Sequence, residues 1–282
     1  MQIAEQLDPL RSALAQLRRD GAVALVPTMG ALHQGHLALV REARARAAHV
    51  VVSIFVNPRQ FGANEDLGKY PRQLEADCAV LAAEGVSLVW APDAAAMYPA
   101  GYATTVAVSG VSGGLCGSAR PGHFDGVATV VLKLFNQVQP DLAFFGEKDW
   151  QQLTVIRRLA QDLDLTKPHR GAIHGVATVR EHDGLALSSR NAYLSPENRK
   201  RAAALPAAMR AAVSAIAAGG DTADELAALQ AALLATGFDS VDYAEVRDAF
   251  TLEPVSAAGP APARLLVAAR IGGTRLIDNM PL

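Results

Sequence analysis

The chain has 282 residues, of which half are hydrophobic and 19% are charged, so it is long enough to bury one large core or two modest ones. Its formal net charge of −2 argues against an extended surface for nucleic acid or an anionic membrane. No hydrophobic run approaches the ~20 residues of a membrane span, and the first residues lack the pattern of a signal peptide. We therefore expect a cytoplasmic protein with no nucleic-acid or membrane partner.

Strand-like hydrophobic runs alternate with helical patterns over the first 178 residues. Strands are predicted at residues 23–26, 50–56, 86–90 and 142–145. Helices are predicted at residues 10–19, 37–47, 74–83, 126–138 and 150–163. Because strands that alternate with crossover helices form parallel sheets covered on both faces, we predict an α/β fold with a Rossmann-like, doubly wound parallel sheet.

The pattern changes in the last third of the chain. Two alanine-rich helices are predicted at residues 197–217 and 222–235, with Ser195 as the N-cap and Pro196 at the first helical position. Three short strands at residues 241–247, 264–271 and 274–278 would form a small antiparallel sheet. The sequence therefore predicts a nucleotide-binding domain at residues 1–178 and a smaller α+β lid domain at residues 179–282.

A pair of histidines follows the first predicted strand and a glycine-bearing turn. The segment His33-Gln34-Gly35-His36 begins a predicted helix, whose free N–H groups and positive dipole end favour phosphate. Gly35 has no Cβ, so a polyphosphate could approach the backbone closely. Taken alone, the same motif also fits a helix cap or a surface pair; as a functional motif it predicts a nucleotide site for adenylyl transfer.

Three further polar segments complete the candidate site. Gln60 follows the second predicted strand, and its amide can bond a carboxylate or a hydroxyl. Gly146-Glu147-Lys148-Asp149 follows a later strand, where Lys148 suits a phosphate and Asp149 suits a ribose hydroxyl or a metal. Ser188-Ser189-Arg190 places two hydroxyls beside a guanidinium, a combination that can wrap a triphosphate. Each segment alone is an ordinary loop, so the prediction depends on their occurring together.

Six stretches of the chain together resemble the pantoate–β-alanine ligase (pantothenate synthetase) family. This family belongs to the nucleotidyltransferase superfamily, which is related to class I aminoacyl-tRNA synthetases. The stretches are Pro27-Thr-Met-Gly-Ala-Leu-His-Gln-Gly-His36, Ser53-Ile-Phe-Val-Asn-Pro-Arg-Gln-Phe-Gly62, Tyr70-Pro-Arg72, Arg120-Pro-Gly-His-Phe-Asp-Gly-Val127, Phe144-Phe-Gly-Glu-Lys-Asp-Trp-Gln-Gln-Leu153 and Asp183-Gly-Leu-Ala-Leu-Ser-Ser-Arg-Asn191. Two departures from the family pattern are Leu187 in place of a frequent methionine and Ala177 in place of a frequent proline.

The resemblance implies an ATP-dependent condensation of (R)-pantoate with β-alanine. The products would be pantothenate, AMP and pyrophosphate, formed through a pantoyl adenylate. The family also implies ATP as a substrate, Mg²⁺ as a cofactor and a homodimer. Residues 1–178 would then bind ATP and pantoate.

The resemblance assigns roles to residues of this chain at the matching positions. His36, with His33, Lys148 and Arg190, would be catalytic. Gln60 would bind pantoate and β-alanine, Gln152 would bind pantoate, and Asp77 is a candidate Mg²⁺ ligand. The ATP site would comprise Met29, Gly30, Ala31, Leu32, His33, Gln34, Gly35, His36, Gly146, Glu147, Lys148, Asp149, Val179, Leu187, Ser188, Ser189 and Arg190.

Two other functions remain compatible with parts of the pattern. A different adenylyltransferase of the superfamily would transfer AMP and stop, without binding an amine. A non-catalytic nucleotide-sensing module would bind ATP without needing the paired glutamines or the second histidine. AMP release in the presence of the two acids distinguishes both from a ligase.

Overall fold

The computed structural model of the chain describes residues 1–62, 65–255 and 261–282, with the backbone alone at residue 66. A six-stranded, wholly parallel sheet lies at the centre of its first part, in the order β1-β4-β3-β2-β5-β6. The strands are β1 (Gln2–Ala4), β2 (Val23–Thr28), β3 (His49–Ile54), β4 (Leu88–Trp90), β5 (Leu142–Gly146) and β6 (Ile173–Val176). The predicted parallel α/β sheet is confirmed.

Helices cover both faces of this sheet. They are α1 (Leu7–Asp20), α2 (Gln34–Arg46), α3 (Leu74–Ala83), α4 (Ala94–Met97), α5 (Leu115–Ala119), α6 (His123–Val138) and α7 (Trp150–Asp162). Successive residues of β2 point to opposite faces of the sheet. Leu25 therefore packs in the cluster formed with α1, α6 and α7, whereas Val26 packs in the cluster formed with α2 and α3. The continuous hydrophobic character of the central strands follows from this burial on both sides.

The strand order changes direction beside β2. From β2 the chain adds β3 and β4 on one side, and then returns to add β5 and β6 on the other side. Ligands of open α/β sheets bind at the carboxyl ends of the strands where the order reverses. The fold therefore places the ends of β2 and β5 at the expected binding position.

The last third of the chain forms three helices and a separate antiparallel sheet. The elements are α8 (Pro196–Ala202), α9 (Ala204–Ala217), α10 (Thr222–Ala235), β7 (Ser240–Asp248), β8 (Ala263–Ile271) and β9 (Thr274–Pro281), with β8 in the centre of the sheet. The three predicted strands and the Ser195 cap are confirmed, the latter by Ser195 Oγ, which accepts from Asn198 N at 3.2 Å.

The first alanine-rich helix is two helices rather than one, which corrects the prediction. The break falls at Ala203, three residues before Pro206. Because proline has no N–H, Pro206 cannot bond to the carbonyl of Ala202, and its ring crowds that carbonyl. The helix therefore stops and restarts at this point.

The antiparallel sheet has its own core and also packs against the first part of the chain. Leu229 and Leu233 of α10 pack on β8 in one cluster, whereas Leu266 and Leu252 belong to the cluster under α6 and α7. Trp150 Nε1 donates to Ala249 O at 2.9 Å across the same contact. The division at residue 178 stays a prediction.

Among the described residues, no helix is both long and hydrophobic enough to span a membrane.

Candidate active site

A cavity of about 220 Å³ lies at the carboxyl ends of β2 and β5. It is bounded by the β2–α2 loop, the turn after β3, helix α6, the turn after β5 and the loop before α8. Most of the residues predicted from the sequence line it together: Met29, His33, Gly35, His36, Gln60, Gly146, Lys148, Asp149, Gln152, Val179, Leu187, Ser188, Ser189 and Arg190. Residues far apart in the chain therefore converge on one cavity.

The two histidines cap helix α2 through reciprocal hydrogen bonds. His33 Nδ1 accepts from Gly35 N at 3.1 Å, and His36 Nδ1 accepts from His33 N at 3.3 Å. Their rings lie close together, with centroids 4.1 Å apart. Since both Nδ1 atoms accept a hydrogen bond, each neutral ring carries its proton on Nε2. Both rings can therefore donate a hydrogen bond without carrying a charge.

The electrostatic surroundings keep both histidines neutral. Burial and, to a lesser extent, the positive charge of Lys148 lower the pKa of His33 from 6.5 to about 4. Burial lowers the pKa of His36 to about 3, with additional contributions from His33 and Lys148. Near neutral pH the pair thus supplies uncharged donors beside a cation.

The packing of the His33 ring gives a second reason for glycine at position 35, besides the predicted close approach of a polyphosphate. A Cβ at this position would lie 2.8 Å from His33 Cε1 and 2.9 Å from His33 Nδ1, because the imidazole folds back over the glycine. The Gly35 N–H is used by that same ring. The helix start therefore offers imidazole N–H groups to an anion in place of this backbone donor.

A short 3-10 turn after β5 brings Lys148 and Asp149 to the cavity. Lys148 Nζ lies 3.6 Å from Asp149 Oδ2, and the lysine side chain is only 19% exposed. Glu147 of the same turn pairs instead with Arg264, at 3.3 Å between Oε2 and Nη2. The turn thus presents one cation and one carboxylate to the cavity.

Asn57 fixes the orientation of Gln60 in the cavity lining. Asn57 is 1% exposed, and its Nδ2 donates to Gln60 Oε1 and to Gly126 O, each at 3.1 Å. Gln60 Oε1 is thus used as an acceptor, and Gln60 Nε2 donates to Met29 Sδ at 3.0 Å in the cavity wall. The amide therefore presents its donor end, which suits a carboxylate.

The turn that carries Gln60 packs directly on helix α6. A Cβ at Gly126 would lie 2.2 Å from Arg59 O, so only glycine permits this approach. His123 Nδ1 donates to Gln60 O at 2.9 Å, while its Nε2 accepts from Arg120 Nη1 at 3.0 Å. His123 therefore links Arg120 to the turn that carries Gln60. Asn57, Gly126 and Arg120 position Gln60, yet no sequence pattern assigned any of them an individual role.

Helix α6 supplies a hydrophobic wall, and the 187–190 loop lies across the cavity from it. Val127, Val130, Val131 and Leu134 recur at helical spacing and line the cavity. In the facing loop, Leu187 N donates to Val179 O at 3.0 Å, and Tyr70 OH lies 3.3 Å from Ser189 Oγ. The cavity therefore combines an apolar surface with hydroxyl, imidazole, amide and ammonium groups.

The low pKa values of the buried histidines predict that the free energy of unfolding depends on pH. Burial also lowers the pKa of His123, to about 4. Between pH ~6.5 and ~4 the unfolded chain therefore binds more protons than the folded one, so stability falls as the pH decreases. His36 and His123 should each contribute about 1.4 kcal/mol per pH unit within that range.

Urea unfolding followed by tryptophan fluorescence at pH 7, 6 and 5 should show the decrease in stability. His123→Asn should reduce the change of the unfolding free energy with pH, and the exposed control His182→Asn should not. If both variants show the same slope of unfolding free energy against pH, the low pKa of His123 is not a source of the pH dependence.

Comparison with known proteins decides the family. The family model described as pantoate-beta-alanine ligase matches residues 2–281. The chain belongs to the pantoate–β-alanine ligase family. The resemblance predicted from six stretches is thus confirmed across nearly the whole chain, including the last third, where the sequence offered little motif evidence.

Members of the ligase family match this chain over their full length. It is 65% identical to the pantothenate synthetase of Novosphingobium aromaticivorans, over 99% of this chain and 98% of the relative. The crystal structure of pantothenate synthetase from Thermus thermophilus matches with a TM-score of 0.92 at 49% identity, covering 99% of each chain. The crystal structure of pantoate-beta-alanine ligase from Francisella tularensis was solved in complex with beta-gamma ATP and β-alanine. It matches with a TM-score of 0.84 at 33% identity, covering 99% of this chain and 97% of the Francisella chain.

Some residues that the ligase resemblance assigned to ATP lie outside the cavity lining among the described residues. Gln34 is exposed, and its Oε1 accepts from Arg41 Nη1 at 3.4 Å. Gly30, Ala31 and Leu32 form the turn behind the histidines, with Gly30 at φ 82° and Ala31 at φ 52°. Glu147 is directed toward Arg264. Gly30, Ala31 and Leu32 therefore form the turn that leads into the histidine pair, and they do not line the cavity.

Asp77 supports that same turn from helix α3. It is 2% exposed; its Oδ2 accepts from Ala31 N and its Oδ1 from Leu32 N, each at 2.9 Å. Gln73 Nε2 donates to Oδ1 as well, at 3.1 Å. Both oxygens are therefore committed to the protein, which is unlike an Mg²⁺ ligand facing a substrate. The structure gives Asp77 the place of a residue that holds the turn, including the left-handed Ala31.

Proposed function

We propose that this chain condenses pantoate with β-alanine, using ATP and releasing AMP and pyrophosphate through a pantoyl adenylate. Membership of the ligase family supports the overall reaction. The observation that carries the residue roles is the composition of one cavity. Neutral imidazole donors and Lys148 lie near one another in it, and the amide of Gln60 and a valine-rich wall complete the lining. Such a cavity suits a triphosphate and a branched hydroxy acid side by side.

In the first step, a carboxylate oxygen of pantoate attacks the α-phosphorus of ATP. A carboxyl O–P bond forms, the bond to the β-phosphate oxygen breaks, and pyrophosphate leaves with that electron pair. The Nε2–H groups of His33 and His36 would donate to phosphate oxygens, and the Lys148 ammonium would balance the charge developing on them. Catalysis then comes from positioning and electrostatic stabilisation, the dominant effects in transfer to phosphorus.

Pantoate would bind between Gln60, Gln152 and helix α6. Its two methyl groups on one carbon suit the valine wall, whereas its carboxylate and hydroxyls need donors such as the amide of Gln60. An amide holds the carboxylate without the full charge pairing of an arginine. The carboxylate therefore keeps its ability to act as the nucleophile.

In the second step, the amine of β-alanine attacks the acyl carbon of the adenylate. A C–N bond forms, the C–O bond to phosphate breaks, and AMP leaves while the amine loses its proton. Gln60 would orient β-alanine as well as pantoate. We propose that residues 179–282 act as a lid over residues 1–178, with Val179, Leu187, Ser188, Ser189 and Arg190 on ATP, because exclusion of water protects the adenylate from hydrolysis.

Mg²⁺ fits this cavity as an ion bound mainly by substrate. Among the described residues there is no group of three or more His, Cys, Asp or Glu side chains that could cage a metal, and Asp149 is the one carboxylate of the described lining. Mg²⁺ commonly binds one or two carboxylates together with substrate phosphates. Asp149 would therefore be the residue that holds it, and the ion would neutralise phosphate charge when bound.

We also propose a cytoplasmic homodimer that binds neither nucleic acid nor membrane. The net charge of −2 supports the absence of nucleic-acid binding, and the dimer is carried from the family resemblance. An adenylyltransferase that stops at AMP transfer is not favoured, because it has no need of a donor amide and a hydrophobic wall beside the phosphate donors. A nucleotide-sensing module is disfavoured for the same reason.

ATP–pyrophosphate exchange tests the proposed function. Exchange should depend strictly on pantoate and proceed without β-alanine, whereas AMP release should need both. Gln152→Ala should weaken pantoate binding by about 1–3 kcal/mol, with ATP binding nearly unchanged, because a buried polar group of the substrate loses its partner. Gln161→Ala, at the exposed end of the same helix, is the matched control. Exchange without pantoate, or equal pantoate affinities in the two variants, would overturn the assignment.

A further inference from the structure

Two adjacent polar residues are buried near the end of β9, in the C-terminal sheet. Asp278 and Asn279 are each 3% exposed. Asp278 pairs with Arg180, its Oδ1 lying 2.9 Å from Nη2 and its Oδ2 2.6 Å from Nη1, and also accepts from the backbone N of Asn279 at 2.8 Å. Buried polar groups are costly unless paired, so the partners of such residues indicate what they hold in place.

Asn279 reaches from this sheet to the turn that carries Lys148. Its Nδ2 donates to Glu147 O and to Lys148 O, each at 2.9 Å. Its Oδ1 accepts from Arg264 Nη1. One amide group therefore bridges two consecutive carbonyls of the turn, which restricts the rotation of the peptide between them.

Arg264 holds the asparagine and the turn together. Its guanidinium lies over the Trp150 ring, 3.5 Å from the centroid, and its Nη2 lies 3.3 Å from Glu147 Oε2. Trp150 begins α7 two residues after Lys148. Both ends of the short segment from Glu147 to Trp150 are thus tied to β8 and β9.

The turn joins the end of β5, where Gly146 is paired with Val176 of β6, to the start of α7. Gly146 precedes it, and a Cβ built there would meet no atom within 4 Å. The lysine side chain is long and flexible, so the position of its ammonium depends on how the backbone of the turn is held. Within the described residues, the C-terminal sheet reaches the backbone of Lys148 through the hydrogen bond from Asn279 Nδ2 to Lys148 O.

We propose that Asn279 is a positioning residue that holds the backbone of Lys148 so that its ammonium meets the ATP phosphates. This inference rests on the proposed function, because it assumes that Lys148 acts on ATP during adenylation. It assigns a specific task to the C-terminal sheet: β9 determines where the main cation of the nucleotide site stands. Asn279 itself does not line the cavity among the described residues.

The test is a double-mutant cycle between Asn279→Ala and Lys148→Ala, measured by pantoate-dependent ATP–pyrophosphate exchange. Asn279→Ala should lower the exchange kcat about 10- to 100-fold, the scale of a small misplacement of a catalytic group. The KM for pantoate should stay within about twofold, since Gln60 and Gln152 are untouched. In the Lys148→Ala background the same substitution should have almost no further effect, because the group it positions is gone.

Thr274→Val is the matched control, since it removes a buried polar group from the other end of β9. It should leave the exchange kcat nearly unchanged. Asn279→Asp keeps the side-chain shape and replaces the bridging NH₂ donor, so it serves in the same cycle if the alanine variant does not fold. Thermal unfolding of each variant reports whether the fold is intact.

If Asn279→Ala lowers the exchange kcat by the same factor in the wild-type and Lys148→Ala backgrounds, the positioning role is overturned. The proposed function would stay intact. A rise in the KM for pantoate with kcat unchanged would overturn the positioning role as well. If the wild-type protein shows no pantoate-dependent exchange, the proposed function fails first, and this inference fails with it. Non-additive effects with an unchanged KM support the inference.

Discussion

Replacing His36 with asparagine is expected to lower the rate of pantoate-dependent adenylation by at least ~100-fold, the scale of losing one transition-state donor. The oxygen of an asparagine amide occupies about the position of imidazole Nδ1. It can therefore still accept from the N–H of His33, as His36 Nδ1 does at 3.3 Å. What the variant lacks is the Nε2–H group that we propose as a donor to the phosphate, so single-turnover formation of the adenylate should slow while the helix cap persists.

Glutamine at the same position is the complementary variant. Its amide nitrogen extends about as far as imidazole Nε2, so His36→Gln should keep the donor, lose the cap, and retain more activity than His36→Asn. Thermal unfolding should show the opposite order, with the asparagine variant closer to wild type. If the two variants lose activity equally, the phosphate contact of Nε2 is not what His36 contributes.

Lys148→Met should also lower adenylation by at least ~100-fold, because methionine keeps much of the side-chain volume and removes the charge proposed to meet the phosphates. The ammonium is the one lysine charge of the described cavity lining. Stopped-flow or quench-flow measurement of adenylate formation gives the rate of the step directly. Lys167→Met is the control, since Lys167 pairs with Asp141 on the surface at 3.0 Å, away from the cavity. Near-normal adenylation in the Lys148 variant would remove this residue from the mechanism.

Most of the parallel sheet could be predicted because its central strands have long, strongly β-branched runs. Residues 50–56 are such a run, and β3 covers most of it. The strand β1 and the helix α5 have three and five residues, which is too short for a periodic pattern to emerge. The break at Ala203 was missed because alanine favours helix so strongly that it concealed the effect of Pro206.

The residues that line the cavity were easier to predict than the residues that support them. His33, Lys148 and Gln60 follow strands that end at one edge of the sheet, so topology alone brings them together. Asn57 bonds to Gly126, 69 positions away, and Asn279 bonds to Glu147, 132 positions away, and no local pattern encodes such contacts. Asp77 illustrates the same limit, because its chemistry suits a metal while its surroundings make it a backbone acceptor.

The neutral state of the two histidines has a consequence for the release of products. Each turnover leaves pyrophosphate and then AMP, both multiply charged, in a cavity that must be cleared before the next ATP enters. Because burial holds the pKa values of His33 and His36 at about 4 and 3, these donors would bond phosphate oxygens without forming ion pairs. A pair of imidazolium ions would hold the departing anions more strongly, since hydrogen bonds to charged groups are stronger than neutral ones. In the proposed mechanism, the same uncharged donors that help assemble the reactants would therefore also limit how long the products stay bound.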